Sequence, residues 1–445
     1  MRVAIAAIVL LAASLCRAED TADRAQLKVG AAAVNIQADD SMVIGGGIHG
    51  GAVQGQDGQL RAVAVVMEKP GSPKAAIVAC DVLMLNRDLL DPVVDQISKK
   101  HGIPAEAILI NATHTHHAPS TVTIHGYARD EEFCRRVQAA IVSAVDGAVE
   151  QLADARFFFC LGEESSVGQN SRLLLGDNTV FWTGKYDDAL RPTGPFDPEL
   201  PVLAFKGQDG KLRALIFNHS THTIGARTAG RSPSFYGLAA QELEQEHGGV
   251  VSFLEGASGS THNLTLNCAE MILRIKAAVN RALALAEPLP VDQIRAAKRP
   301  FKYRVRKFDE AQEEATVGAY CQRRIPSVWE SVAKVFRQQR AVLAPHQGEE
   351  RSTWLQVITI GDVAIVGVPA EFFTRLGQEI KRRSPYRYTY VAELANDWIG
   401  YLPDREGFEL GGYQTWTGLH SLAERGTGEA VVDAAVAMLN EMHHE

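Results

Sequence analysis

The sequence predicts an α/β protein in which mixed β-sheets are covered by helices. Three observations carry this expectation. Short apolar runs of strand length recur along the chain, and longer helical patterns separate them. The composition, 46% hydrophobic and 22% charged over 445 residues, is that of an ordinary globular protein. No internal repeat or low-complexity linker divides the chain, so a single large domain over residues 19–445 is expected.

Taken in order, "LKVGAAAVNI" (27–36), "RAVAVVMEK" (61–69) and "KAAIVACDVLML" (74–85) read as strands. "DPVVDQISKKHG" (91–102) reads as a helix, with Pro92 in its first turn and Gly102 at its end. "AEAILINAT" (105–113) is a strand, and 130–150 is an amphipathic helix. "ELPVLAFKG" (199–207), "LRALIFNHS" (212–220) and "GVVSFLEG" (249–256) are further strands, the first two joined by a Gln-Asp-Gly turn. "TWLQVITIGDVAIVGVPAEFF" (353–373) reads as a hairpin turning at Gly361-Asp362 and running directly into a helix from Glu371. The strand "YTYVAEL" (388–394) and the helix "GEAVVDAAVAMLNEM" (428–442) come last. Residues 297–350 are charged and helical in pattern, and are expected as a helical insertion on the same domain.

The first twenty residues, "MRVAIAAIVLLAASLCRAED", join a basic Arg2 to an apolar stretch and small residues at Cys16 and Ala18. This is the pattern of a secretory signal cleaved after Ala18, too short to span a membrane comfortably. A soluble, secreted or periplasmic protein is therefore expected. Lys and Arg number 45 against 53 Asp and Glu, a formal net charge of −8. With no basic stretch interleaved with aromatics, nucleic acid is not an expected partner. The cysteines beyond Cys16 are scattered and contain no Cys-x-x-Cys pair, so they form neither a disulfide framework nor a cysteine zinc site.

Chemistry is concentrated at strand ends. "NATHTHHAP" (111–119) places His114, His116 and His117 where one apolar strand stops. Alternation along a strand would point His114 and His116 to one side and His117 to the other. Convergent imidazoles suit a metal site or a catalytic pair, against the plainer reading of a histidine-rich polar turn. "LRALIFNHSTHTIG" repeats the pattern with His219 and His222, of which His222 reads as a ligand and His219 as a packed polar residue. Ligands gather at strand ends in such folds. An oxygen ligand is the usual addition to a zinc site. Glu371 stands at a strand-to-helix junction, although an acid there also suits the first turn of a helix.

Together these fragments resemble the neutral/alkaline non-lysosomal ceramidase family, in its N-terminal catalytic domain. "VGAAAVNIQADDSMVIGGGIHG" is similar to the opening of that domain, and "NATHTHHAP" and "FNHSTH" to its two histidine segments. "VPAEFF" resembles its Pro-Gly-Glu-Phe segment, and "ELANDWIGYLPDREGFELGGYQ" its Leu-Ala-Asn…Gly-Tyr stretch. The resemblance implies zinc held by His114, His222, Glu371 and Tyr401, with His116 beside the metal as an acid/base or orienting group. Arg172, in "GQNSRLL", falls near a family arginine that contacts substrate. Two features depart from the family. "GASGSTHNL" (256–264) carries His262 where the serine implicated in ceramide hydrolysis would stand, and the chain ends without room for the immunoglobulin-like domain.

The implied activity is zinc-dependent hydrolysis of an amide (N-acyl) bond, in a sphingolipid, a related lipid or a smaller substrate. His116 or His262 would move the proton, and backbone amides of "GASGS" would hold the oxyanion. The alternatives are a zinc hydrolase of an ester, sugar or phosphate, and an exported metal- or ligand-binding protein without catalysis.

Overall fold

The computed structural model describes residues 27–444, so the expected signal segment lies outside the described residues. Although the sequence shows no repeat, the topology uses one plan three times. In each unit, three strands form an antiparallel meander, a helix follows, and a fourth strand returns parallel to the third.

The first unit holds β1 (Lys28–Asn35), β2 (Arg61–Glu68), β3 (Ala75–Cys80), helix α1 (Arg87–His101) and β4 (Ile108–Ala112), in sheet order β4-β3-β2-β1. Helix α2 (Glu131–Glu150) then packs on β1 and β2. The second unit repeats this with β5 (Arg156–Glu163), β6 (Glu199–Lys206), β7 (Leu212–His219), α3 (Ser234–His247) and β8 (Val250–Glu255), covered by α4 (Cys268–Leu285). The third has β9 (Ile294–Arg304) and β10 (Glu350–Ile360), joined through helices α5 (Glu310–Arg324) and α6 (Trp329–Leu343). It continues with β11 (Val363–Gly367), α7 (Thr374–Arg383) and β12 (Tyr388–Ala392). After the short α8 (Arg405–Leu410), α9 (Thr427–His444) covers this sheet.

The α/β class with mixed sheets under helices is as the sequence predicts. Strands β3, β4 and β11 are buried along their whole length, which explains their unbroken apolar runs. The inner faces of the three sheets share one core, in which Ile77, Ile110, Phe205, Ile216, Ile358 and Ile365 all take part. Burial of this apolar surface is the main force drawing the units together.

Four local differences have clear causes. Residues 294–304 are strand β9, so only α5 and α6 form the helical insertion; β9 lies at a sheet edge, where Pro300 and outward charges are tolerated. Helix α1 begins at Arg87, before Pro92, because Asp397 Oδ1 accepts the Arg87 N–H at 2.9 Å and caps it from a distance. Glu371 pairs as an extended residue with Tyr401, and α7 starts only at Thr374. Finally, β5, α3 and α4 lie outside the elements read from the sequence.

The three fourth strands meet at their C-terminal ends in a closed ring of hydrogen bonds. The Glu255 N–H donates to Asn111 Oδ1 at 3.1 Å, and Asn111 Nδ2 donates to the Glu393 carbonyl. The Glu393 N–H closes the ring on the Glu255 carbonyl at 2.9 Å. Asn111 is fully buried, so its Asn-Ala-Thr sequon is no place for a glycan. Asn111→Ala opens the ring and leaves buried polar groups unpaired, so a stability loss of about 2–4 kcal/mol is expected in urea unfolding. An unchanged midpoint would show that the ring does not hold the units together.

Candidate metal centre

The meander-plus-crossover plan puts three connections of every unit at the same end. These are the loop between the first and second strands and the exits of the third and fourth. His114 follows β4, His222 follows β7, Glu371 follows β11 and Tyr401 lies beyond β12. The convergence of His114 and His116 comes from a turn rather than from strand alternation. β4 ends at Ala112, and His114 takes a left-handed conformation (φ 62°) that costs about 1–2 kcal/mol in a non-glycine residue. Such strain marks functional sites.

The hydrogen bonds fix every ring. Nδ1 of His114 lies 2.9 Å from the Leu83 carbonyl, that of His116 3.1 Å from Gly46, and that of His222 2.9 Å from Ser258. His262 has the same arrangement, with Nδ1 2.6 Å from the Asn263 carbonyl. A carbonyl oxygen only accepts, so each Nδ1 carries the proton and each Nε2 presents a lone pair. Those of His114, His116 and His222 lie within 4.8 Å of one another.

Glu371 adds an anion to these lone pairs. Its Oε2 is 3.6 Å from His114 Nε2 and 3.5 Å from His222 Nε2, and the Tyr401 hydroxyl lies 3.0 Å from His222 Nε2. His116 Nε2 stands 3.3 Å from His114 Nε2. Ligands at ordinary zinc distances on a tetrahedron are about 3.3–3.5 Å apart. The separations therefore suit a metal ion, and this cluster could hold one. Trp398 Nε1 donates to Glu371 Oε1 at 3.0 Å and orients the carboxylate.

Electrostatics agree with this geometry. Burial lowers the pKa of His114 and His262 to about 4, so both are neutral bases at pH 7. Deeper in the floor, burial raises Glu255 and Glu393 well above the usual carboxylate range.

The centre opens into a cavity of about 400 Å³. Loops between first and second strands make its walls: Gly46 and Ile48 from the first unit, Ser171, Phe181 and Trp182 from the second. Behind them, Phe336 of α6 meets Trp182 edge-on at 5.9 Å. The segment after α8 supplies Tyr413, stacked on Trp182 at 4.7 Å, and Gln414.

The structure thus brings together His114, His116, His222, His262, Glu371 and Tyr401. It leaves Arg172 out of the cavity lining: this side chain is 1% exposed, and its guanidinium donates to Gln414 Oε1 and to the Gly407 and Gly411 carbonyls. His219 is packed, with its ring nitrogens at the Tyr236 hydroxyl and the Glu164 carbonyl. His117 turns away and accepts the Gly225 N–H at 3.0 Å. Three of the five "GASGS" amides are already engaged, those of Gly256, Ser258 and Gly259 donating to His219, Glu393 and Phe372. Trp182, Tyr413, Gln414 and Trp398 were not foreseen as site residues: the last three lie inside the "ELANDWIGYLPDREGFELGGYQ" segment, but only Tyr401 of that segment was given a role.

No family model and no curated protein matches the sequence. Solved structures do match. A neutral ceramidase from Pseudomonas aeruginosa superposes with a TM-score of 0.70 over 94% of this chain and 75% of its own, at 18% identity. The fold is that of neutral ceramidase. A ceramidase complexed with C2 gives a TM-score of 0.73 at 18% identity, covering 94% of this chain and 76% of that one. Within this ceramidase fold, no described helix is long and apolar enough to cross a membrane, and Cys80, Cys134, Cys160, Cys268 and Cys321 are all free thiols.

A second pair of histidines backs the cavity wall. His125 Nε2 lies 3.3 Å from the Tyr413 hydroxyl, and His420 Nε2 lies 3.0 Å from the Tyr413 carbonyl. Burial lowers the His420 pKa to about 3. The unfolded chain takes up a proton at this residue below about pH 6.5, and the fold does not. Stability is therefore full above pH 6.5 and declines as pH falls. Relative to His420→Gln, the wild-type chain should lose about 2 kcal/mol between pH 7.5 and pH 5 in urea unfolding. An equal difference at both pH values would mean that the folded protein protonates His420 freely.

Proposed function

We propose that the protein is an exported, zinc-dependent hydrolase that cleaves an amide (N-acyl) bond. One observation carries the reading: carbonyls fix the Nδ1 protons, so the Nε2 lone pairs of His114, His116 and His222 converge beside Glu371. His114, His222, Glu371 and Tyr401 are the proposed zinc ligands, and His116 stands beside them facing the cavity. When bound, the metal supplies Lewis acidity, polarising an acyl carbonyl and acidifying water.

The chain's own groups handle the protons. His116, with Nδ1 tied to Gly46, offers Nε2 as a base to an attacking water and returns the proton to the leaving nitrogen. His262 presents a second neutral base to the same cavity. Trp182, Ile48 and Phe181 give the substrate an apolar wall. The ceramidase fold supports a hydrolase with an acyl substrate, and a lipid is one candidate of that class.

Plasma mass spectrometry on residues 19–445 should find about one zinc per chain, lost in His114→Ala with the fold intact by circular dichroism. Equal metal in both proteins would remove the site. Chelation should abolish hydrolysis across a panel of amides and esters, and zinc should restore it. His116→Ala should keep the zinc yet lower kcat about 10²–10⁴-fold, the usual size of a general-base contribution. An unchanged kcat would strip His116 of that role.

A further inference from the structure

We propose that the cavity selects amides carrying a carboxylate or similar anionic oxygen group, which binds the side-chain amide of Gln414. This deepens the hydrolase reading and rests on its assignment of the cavity as the substrate site. Gln414 is 8% exposed and lines the cavity. Its Oε1 lies 2.6 Å from Arg172 Nη1, and a guanidinium only donates, so the amide orientation is fixed. The Nε2 group therefore faces the other way, with no hydrogen-bond partner among the described residues and no place among the buried unpaired atoms. It is a donor held ready for a ligand acceptor.

The charge behind that donor argues for an anion. Arg172 is buried, and its three hydrogen bonds all end on neutral oxygens: Gln414 Oε1 and the carbonyls of Gly407 and Gly411. Asp404, the carboxylate whose field acts on it, is engaged with Arg375 at 3.2 Å and with the Gly407 N–H at 2.7 Å. Arg306 lies under the same segment in the same condition, donating to the carbonyls of Thr415 and Ala423 and to Ser421 Oγ. Burial lowers both arginines to about 10, so both remain charged at neutral pH. A buried cation without a paired anion is costly, and an anionic ligand group held through Gln414 offsets part of that cost.

Apart from Glu371 at the metal centre, the cavity supplies no competing negative charge. In a chain of net charge −8, neither Asp nor Glu lines it. Its walls are histidine, hydroxyl, aromatic and aliphatic groups, with Trp182 and Tyr413 stacked beside Gln414. Such a wall suits an N-acylated amino acid: the acyl chain on the apolar side, the carboxylate at the amide donor.

The test is calorimetric binding of N-hexanoylglycine and its methyl ester to the zinc-loaded full chain, repeated on metal-free protein. The carboxylate should bind roughly tenfold to hundredfold tighter in both forms, the range for a hydrogen bond to a charged group. Gln414→Leu should erase the preference, and Gln414→Glu should reverse it. Equal affinities in the wild-type protein would overturn the proposal. So would a preference that vanishes with the metal, or one that persists in Gln414→Leu, since the carboxylate would then sit on the metal or elsewhere. Because wild-type affinities decide the matter, a variant that fails to fold leaves the test intact. Binding without turnover of any amide would uphold this selectivity while refuting the hydrolase reading. Equal kcat/KM for the acid and the ester would do the reverse.

Discussion

The ring joining Asn111, Glu255 and Glu393 is the constraint from which the site follows. Each residue stands at or beside the last position of a fourth strand, so the ring registers the three units against one another. Further bonds lock the same place: Asn218 Nδ2 donates to the Leu254 and Val391 carbonyls, and the Asn396 N–H to Ile110. None of these contacts is local in sequence. Once they form, the exits bearing His114, His222 and Glu371 have no freedom to separate. The histidines converge because the sheets do.

Convergence of that kind has an electrostatic cost. Neutral imidazoles with lone pairs a little over 3 Å apart repel, and an ionised Glu371 among them makes matters worse without a cation. Burial compounds the problem by making protonation of His114 unfavourable. The carbonyls of Leu83, Gly46 and Ser258 prevent the rings from relaxing to the other tautomer. A chain does not hold this arrangement for stability, and such frustration is expected at functional sites. A metal ion at the proposed site would relieve it, and folding energy stored in the sheets would then be converted into metal affinity.

Much of this was legible in the sequence. The buried strands announce themselves as apolar runs, and the histidine clusters mark where two of them end. Glu371 was found for a partly mistaken reason: it follows a strand, but it pairs with Tyr401 rather than opening a helix. The threefold plan was invisible, because equivalent strands such as "AAIVAC" and "VVSFLE" share only apolarity, and burial asks for nothing more specific. Arg172 could be named but not placed, since nothing in "NSRLL" tells a substrate contact from a buried clamp. Trp182, Tyr413 and Gln414 come from irregular segments, where side-chain direction depends on tertiary contacts that no periodicity encodes.

Two kinds of connection divide the labour in this fold. Exits of third and fourth strands are short and tied to the central ring, and they carry the proposed metal ligands. Connections between first and second strands are long and form most of the walls. Arg172 belongs to the second unit's wall and grips the segment bearing Tyr413 and Gln414. In this chain its charge acts through Gln414 and does not touch the cavity directly. An arginine that reached the cavity would form its own ion pair with an acid and would also cling to neutral oxygens. Placed one residue back, it lends its field to an amide donor whose orientation it fixes through Oε1, and that arrangement gains discrimination by giving up raw affinity.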